Sequence, residues 1–558
     1  MLFRENPSLH SRINANFAGM KRIILFSILL LQTISICAQE RFYIQTDKSF
    51  YAPGDTVWFR AHLMDAATNT PVSRSRFVYI ELHDQQADTL IVRMMIRGDE
   101  DGVFANALLL PKEILGGVYT LVGYTQWMRN FGSDSFCYQP LTVVGGQRAR
   151  GHRIPEEVLT KLSADVIISG KAATNKALMT FDIDVRDKDG YPLRGIYAIS
   201  VTDYDVVKPD SLFGDIRQSL LRQQLSYKPD TLSSVIFPYQ EEQFITGRIK
   251  GTLRSKIKNP HLHVVNTLTG QRHEFELGDS TRFAMAVDNP EGCTYMLEAT
   301  DHRGGKSFIK LIVDSLTFPR VKLPQYALSS IATDTTIIKR MSQSHSSYDG
   351  ILLDEVIKIG SHRPIKSPIS HRLGAPSFML TEGHPKLKAT RNVETLLRTM
   401  GVKHGVTDNG TPYLFALIHI IDEHGKHQQV SIDQLSSSDI KQIDMYRGFK
   451  SLKEPDIIVI QLKPDAKNRG KGGPNMVAVR QLGYSIPIKF YSPQYIDDCT
   501  KDIPDFRTTL YWNPKVKTDS TGKAKVQFYA SDVSKRYLVT IEGISDNGFL
   551  VHQQQVIE

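Results

Sequence analysis

The stretch TDKSFYAPGDTVWFRA, Thr46–Ala61, decides the fold. Its centre, Pro53-Gly54-Asp55, is a turn signal, because proline presets φ and glycine accepts a positive φ. From Thr56 onward Val57, Phe59, Ala61 and Leu63 alternate with Thr56, Trp58, Arg60 and His62. A period of two over eight residues predicts a strand with one face in a core and the other turned away from it.

The same reading extends in both directions. Phe77–Leu82 alternates, Asp99-Glu100-Asp101-Gly102 reads as a hairpin turn, and Gly116-Gly117 opens a strand over Val118–Tyr124. Short strands separated by turns predict an antiparallel sandwich over residues 40–146. Residues 147–245 repeat the style, with strands at Leu178–Val185 and Tyr197–Thr202 around the turn Asp187-Lys188-Asp189-Gly190. A third block, 246–324, has strands at His261–Asn266, Arg282–Val287, Tyr295–Ala299 and Ser307–Val313. Residues 325–390, rich in Ser, His, Pro and Thr apart from an apolar patch at Ile351–Ile359, read as a linker.

At 391–464 the period changes. Val393, Leu396, Leu397 and Met400 share one helical face, with Gly401 placed to end the helix. A buried strand is expected at Tyr413–Ile421, a short capped helix at Ser438–Ile443 leading into Asp444–Tyr446, and another strand at Ile457–Leu462. This predicts a small α+β unit. Residues 475–558 return to β patterning, with strands at Lys525–Ala530 and Tyr537–Glu542 and turns at Asp519–Gly522 and Asp546–Gly548. The expected fold class is mainly β: serial immunoglobulin-like sandwiches with one small α+β domain.

Hydrophobic residues make up 41% and charged residues 23% of the chain, ordinary for packed domains, which excludes collagen-like, fully disordered and polytopic membrane classes. Met20-Lys21-Arg22, the apolar run Ile23–Leu31 and the small Ala38 follow the order of a secretory signal peptide. Residues 1–38 therefore read as an N-terminal extension and signal, cleaved after Ala38, with Met20 as the expected start. The run is shorter than the roughly 20 residues of a spanning helix, so no transmembrane helix is expected after signal removal. Ile36 precedes Cys37 where a lipobox needs a small residue, so acylation is not expected. Of the cysteines, Cys137, Cys293 and Cys499 remain, too few and too far apart for a disulfide framework. One long-range bridge with one buried thiol stays open. The net charge of +9 is dispersed. Its densest stretch, Lys463, Lys467, Arg469 and Lys471, reads as a solvated loop, and nucleic acid is not an expected partner.

Chemistry-bearing clusters are sparse. His419, Asp422, His424 and His427 have residue types that suit zinc, but without an H-E-x-x-H helix they read as structural or solvated. His261 and His263 share a strand face, and Asp99–Asp101 ahead of Gly102 resembles a calcium-loop fragment but reads as a turn. There is no nucleophile elbow, phosphate loop or dinucleotide fingerprint, and Arg469–Gly473 lacks the context of a phosphate loop. No catalytic, cofactor or metal residue is assigned, and no cofactor is expected.

Three stretches carry a resemblance. Thr46–Ala61 resembles the second macroglobulin domain of alpha-macroglobulins, and TTLYWNPKVKTDSTGKAKVQFYASDVSKRYLVTIEGISDNGF, Thr508–Phe549, resembles the region ahead of their thioester domain. RNVETLLRTMGV, SSDIKQIDMYRG and IIVIQLK resemble the plug domain of TonB-dependent receptors. The order is similar to secreted Gram-negative envelope proteins with macroglobulin-type domains and a plug-like domain but no barrel. LDEVIKIG, Leu353–Gly360, and FYSPQYIDD, Phe490–Asp498, look like their connecting segments. No Cys-Gly-Glu-Gln thioester string is present, and FKSLKEPD stands where plugs carry a Gly-rich turn. The resemblance implies a non-enzymatic binding or scaffold protein of the periplasm or outer membrane, docking to an envelope partner such as an outer-membrane barrel. The alternatives are a protease-interacting protein without thioester trapping and a hydrolase with dispersed residues.

Overall fold

The computed structural model describes residues 39–150, 163–208, 214–225, 235–251, 257–330, 376–406, 412–422, 428–446, 456–464, 475–495 and 504–558, apart from isolated positions within them. The expected signal peptide lies outside these residues, as do Cys499, His424, His427, Lys467, Arg469, Lys471, the Leu353–Gly360 segment and the FKSLKEPD stretch up to Pro455. Strands dominate the described residues, as the alternating pattern predicts, and they fall into two compact units.

The first unit begins with strands β1 (Glu40–Thr46), β2 (Phe50–Tyr51), β3 (Thr56–Asp65), β4 (Phe77–Asp84), β5 (Thr89–Arg97), β6 (Phe104–Leu109), β7 (Gly117–Tyr124) and β8 (Cys137–Val143). They form two sheets, β1-β3-β6 and β2-β8-β7-β4-β5. Phe42, Ile44, Val57 and Phe59 of the first sheet are fully buried. The sheets meet tightly at Gly123 in β7: a Cβ there would stand 2.3 Å from the Phe42 ring. A short strand β9 (Gln147–Arg150) follows, then β10 (Asp165–Ser169), β11 (Leu178–Arg186), β12 (Gly195–Asp203) and a helix, α1 (Ile216–Leu225).

The chain then enters the second unit. Strands β13 (Gln243–Gly251), β14 (His261–Asn266), β15 (Arg272–Glu276), β16 (Arg282–Val287), β17 (Tyr295–Thr300) and β18 (Ile309–Val313) build most of another sandwich. Two strands lie inside the stretch read as a linker. One, β19 (Ala327–Ser330), belongs to the first unit and pairs with β9; the other, β20 (Phe378–Thr381), opens the α+β part of the second unit. That part continues with α2 (Pro385–Ala389), α3 (Val393–Thr399), β21 (His404–Val406), β22 (Pro412–Leu414), β23 (Ala416–Ile421), β24 (Ile440–Tyr446) and β25 (Asp456–Leu462). Its sheet runs β20-β24-β25-β23, with β23 parallel to β25. The helix expected over Ser438–Ile443 is instead one 3₁₀ turn, Ser437–Asp439, running straight into β24. Ser436 caps the turn by accepting from the Ser438 N–H, and the β-branched Ile440 and Ile443 face the core as strand residues. The expected helical face does form: Val393, Leu396, Leu397 and Met400 are buried against Ile443, Ile458 and Ile460, and Gly401 follows at φ 77°.

The C-terminal segment is divided between the units. Strand β26 (Met476–Val479) completes the sheet β15-β14-β17-β26 of the second unit, facing β16-β13-β18. Strands β27 (Thr509–Lys517), β28 (Lys523–Tyr529), β29 (Tyr537–Ser545) and β30 (Leu550–Ile557) return to the first unit. They complete the sheets β10-β11-β28 and β27-β12-β29-β30. Phe181, Val201, Leu510, Phe528, Val539 and Ile541 form the shared core of this sandwich. Three of the four strands of one sheet thus come from the C-terminal segment, with β12 threaded between two of them. Among the described residues no helix is long and apolar enough to cross a membrane.

Leu396→Asp places a carboxylate in the core formed by α3 and the β20-β24-β25-β23 sheet, at a cost of several kcal/mol. Hydrogen exchange on the full chain is expected to show lost protection over 378–462 with protection over 40–143 unchanged.

Candidate functional site

The Pro53-Gly54 turn, with Gly54 at φ 82°, closes on an Asp55 N–H to Ala52 carbonyl bond of 3.0 Å. It thereby aims the Asp55 side chain back at the chain entering it. Asp55 Oδ2 accepts from the Ala52 N–H at 2.8 Å and from Lys48 Nζ at 2.7 Å. Both side chains of this ion pair are at most 9% exposed. Lys48 also donates to Thr508 Oγ1 at 3.3 Å. Its neighbour Asp47 accepts from Tyr51 OH at 2.8 Å, from the Trp58 N–H at 3.1 Å and from Thr509 Oγ1 at 2.6 Å, while Ser200 donates to the Asp47 carbonyl. Burial pushes the Asp47 carboxyl up from its ordinary value, and Lys48 with these donors works against that shift. The two stretches that open and close the first unit in sequence, Thr46–Ala61 and Thr508–Phe549, are therefore joined through buried charge and hydroxyl.

The rest of β3 continues this seam. Arg60 and His62 of its polar face are buried, while Thr56 and Trp58 are partly exposed, so alternation's outward row is outward only at its start. Arg60 donates to the Pro514 carbonyl at 2.7 Å, His62 bonds Gln45 at 3.1 Å, and Gln45 reaches the Ala198 carbonyl at 3.5 Å. Burial pulls Arg60 down to about 10 and holds His62 well below its ordinary value. At the seam's edge the Asp99–Gly102 hairpin turn meets β27: Lys515 pairs with Asp99 at 2.6 Å and with Asp101, and Lys517 pairs with Asp101 at 2.7 Å. The acidic cluster at this turn is answered by lysines.

Beside the buried network lies a small open cleft lined by residues of β1, β8, β12, β29 and β30. On its wall four side chains form a chain. Tyr43 donates to Glu542 Oε2 at 2.9 Å, His552 Nδ1 lies 2.8 Å from Glu542 Oε1, and His552 Nε2 lies 3.7 Å from Asp215 Oδ2. Arg217 pairs with Asp215 at 2.8 Å. Burial lowers the His552 value, but bonding to Glu542 and the charges of Glu542 and Asp215 outweigh it and leave the imidazole above its ordinary value. For Asp215 burial works upward and is overcome by His552 and Arg217, leaving the carboxyl low. Tyr43, Asp215, Glu542 and His552 carry no shared motif in the sequence; only the fold brings them together.

The candidates singled out in sequence fare differently. His419 is buried in β23, and Asp422 accepts from Gln428 at 2.9 Å. His261 and Glu274 meet at 2.9 Å across β14 and β15, and His263 bonds Thr300 at 3.2 Å. Cys137 and Cys293 are free and buried, with burial pushing the Cys137 thiol up to about 12. Lys463 pairs with Glu382 at 2.8 Å. Among the described residues no group of three or more His, Cys, Asp or Glu is arranged to hold a metal.

No protein-family model matches the chain, and no curated protein matches it. Among solved structures it is similar to the native Escherichia coli alpha-2-macroglobulin, at 8% identity over 93% of this chain and 40% of that one, with a TM-score of 0.25. The Salmonella alpha-2-macroglobulin reacted with methylamine gives 9%, 93%, 39% and 0.24 by the same measures. The Yersinia pseudotuberculosis adhesin InvE matches 50% of this chain and 59% of its own, at 10% identity and TM-score 0.12. The chain spans about two fifths of the length of these macroglobulins.

Lys48→Met leaves Asp55 buried without its cation and is expected to lower unfolding free energy by about 3–5 kcal/mol in denaturant titrations. Lys517→Met, on the exposed turn contact, is expected to leave the midpoint nearly unchanged. Glu40, at the start of β1, accepts from Ser75 at 2.7 Å and from Thr125. Burial raises it from 4.5 to about 7 against those bonds. Folding therefore favours the protonated acid, so this contribution is full below pH 4.5 and is lost as pH rises to about 7. Glu40→Gln is expected to remove about 3 kcal/mol of pH dependence across that window, read as a higher Tm for the variant at about pH 8.

Proposed function

We propose that this protein is an exported, non-enzymatic envelope protein of macroglobulin-like build, in which sandwiches serve as a rigid binding scaffold for another envelope protein. The observation that carries this reading is the seam, where Asp47 and Lys48 of one macroglobulin-like stretch are buried against Thr508 and Thr509 of the other. Groups committed to each other in this way fix the relation of two sandwiches and are occupied structurally. Export is supported by the signal pattern that ends at Ala38. The carbonyl of the next residue, Gln39, already accepts from the Ala66 N–H at 2.8 Å, so the expected mature end coincides with the start of the first sheet.

Sheet edges support recognition by strand addition. β5, β15 and β20 each have one strand neighbour among the described residues. On β20, Phe378 and Met379 are exposed. An extended peptide adding to such an edge gains main-chain hydrogen bonds, with alternate side chains giving specificity. In the α+β unit, this edge is the element through which a partner docks.

The test is crosslinking in the native cell followed by identification of what co-purifies, with N-terminal sequencing of the captured chain. The expected result is a mature chain starting at Gln39, captured with one envelope protein, and capture reduced at least tenfold by Met379→Pro. Capture of nothing above an uncrosslinked control, or turnover of a hydrolase substrate panel by the purified chain, would overturn the reading.

A further inference from the structure

Helix α1 bridges two sandwiches within the first unit. Ile216 and Leu220 are fully buried in one cluster with Tyr43 and Met64 from the first sandwich and Ile544 and Leu550 from the second. The C-terminal half is bolted to β1: the Gln223 amide accepts from the Phe42 N–H at 2.9 Å and donates to the Phe42 carbonyl at 2.6 Å. Arg41 adds a bond to the Leu220 carbonyl at 3.3 Å. The N-terminal end is held from the other side. Asp215 caps it by accepting from the Arg217 and Gln218 N–H groups at 2.9 and 3.2 Å, and Glu542 of β29 accepts from the Ile216 N–H at 3.2 Å.

Between these two carboxylates stands His552 of β30, one ring nitrogen toward each. An imidazolium donates from both nitrogens, whereas a neutral imidazole donates from one and presents a lone pair from the other. With Nδ1 donating to Glu542, the neutral ring turns its Nε2 lone pair on Asp215. Among the described residues, the other charged or titratable groups around this cleft include Asp47, held by Tyr51 and Thr509. Tyr43 of β1 donates to Glu542, and Arg217 pairs with Asp215. Two lysines also line the cleft, but Lys48 is taken by Asp55 and Lys208 lies over the Tyr204 ring. Once His552 is neutral, the cation left beside these carboxylates among the described residues is Arg217, paired with Asp215.

We propose that α1 is a proton-gated latch between the first and second sandwiches, closed while His552 bridges Glu542 and Asp215 as an imidazolium and loosened when it becomes neutral. The sign follows from the direction of the shift. The folded imidazole holds its proton above the ordinary value of 6.5, so the latch is complete below that pH and fades as pH rises through the raised value.

Hydrogen exchange of the full chain tests this. Protection factors for peptides covering 216–225, corrected for intrinsic rates and referenced to β7, are compared at about pH 5.5 and about pH 9. The expected result is a drop of roughly tenfold or more at the higher pH, the size of about 1.4 kcal/mol. His552→Gln is expected to show low protection at both values with no drop. Asp215→Asn, whose amide can donate to the Nε2 lone pair, is expected to shrink the drop even if the histidine variant does not fold. Equal protection at both pH values in the unaltered chain, or an undiminished drop in either folded variant, would overturn the proposal.

Discussion

One ion pair organises the first unit. Lys48 and Asp55 lie seven residues apart, on either side of a Pro-Gly turn, and are removed from water together. A buried pair of this kind stabilises little in itself, since desolvation offsets most of the attraction. What it enforces is specificity: once the two sandwiches come together, Lys48 must find Asp55 and Thr508, and Asp47 must find Thr509. Any other register deprives the buried Lys48 and Asp47 of these hydroxyl partners. The turn is the local cause. Without Gly54 in its left-handed conformation, Asp55 would not face back toward Lys48.

The seam also explains why β3 looks ordinary in sequence and is not. Its apolar row, Val57, Phe59, Ala61 and Leu63, sits inside its own sandwich as alternation requires. The opposite row, read as outward-facing, is outward only with respect to that sandwich. Arg60 meets the Pro514 carbonyl of β27, 454 positions away, and His62 is matched by the Gln45 amide of β1, which itself reaches Ala198 of β12. Polar rows of this kind exclude water without presenting an interchangeable apolar surface.

Much of the fold is legible in local patterns, because strands, turns and the face of α3 depend on near neighbours. The Val393–Met400 periodicity is one such case, and the strand at Thr56 is another. Four features are not legible. Ser438–Ile443 offers a helix start by its capping serine, yet Ile440 and Ile443 are drawn into a sheet by β25, a tertiary effect that overrides the local signal. Helix α1 has Ile216 and Leu220 one turn apart, a signal too short to stand out among strands. The assignment of β26 to one sandwich and of β27 to β30 to another is invisible to any window, since both stretches read alike as β. The cluster around His552 is hidden for the same reason: its members come from four elements and share no spacing. The histidine groupings that do stand out in sequence, at 261–263 and 419–427, owe their visibility to proximity along the chain.

The interrupted second sandwich has a consequence for how the chain is made. β12 finds its neighbours only when β27 and β29 exist, about 300 residues later. At synthesis rates of roughly 5–20 residues per second, that is a wait of about 15–60 s with an apolar strand open on both edges. The first sandwich and the sheets of the second unit can close during this interval, but the second sandwich cannot, and α1 still lacks Glu542, Ile544 and Leu550. The stretch from β27 to β30 is thus the fastener of the second sandwich: until it is made, β10, β11 and β12 are strands without a finished sheet.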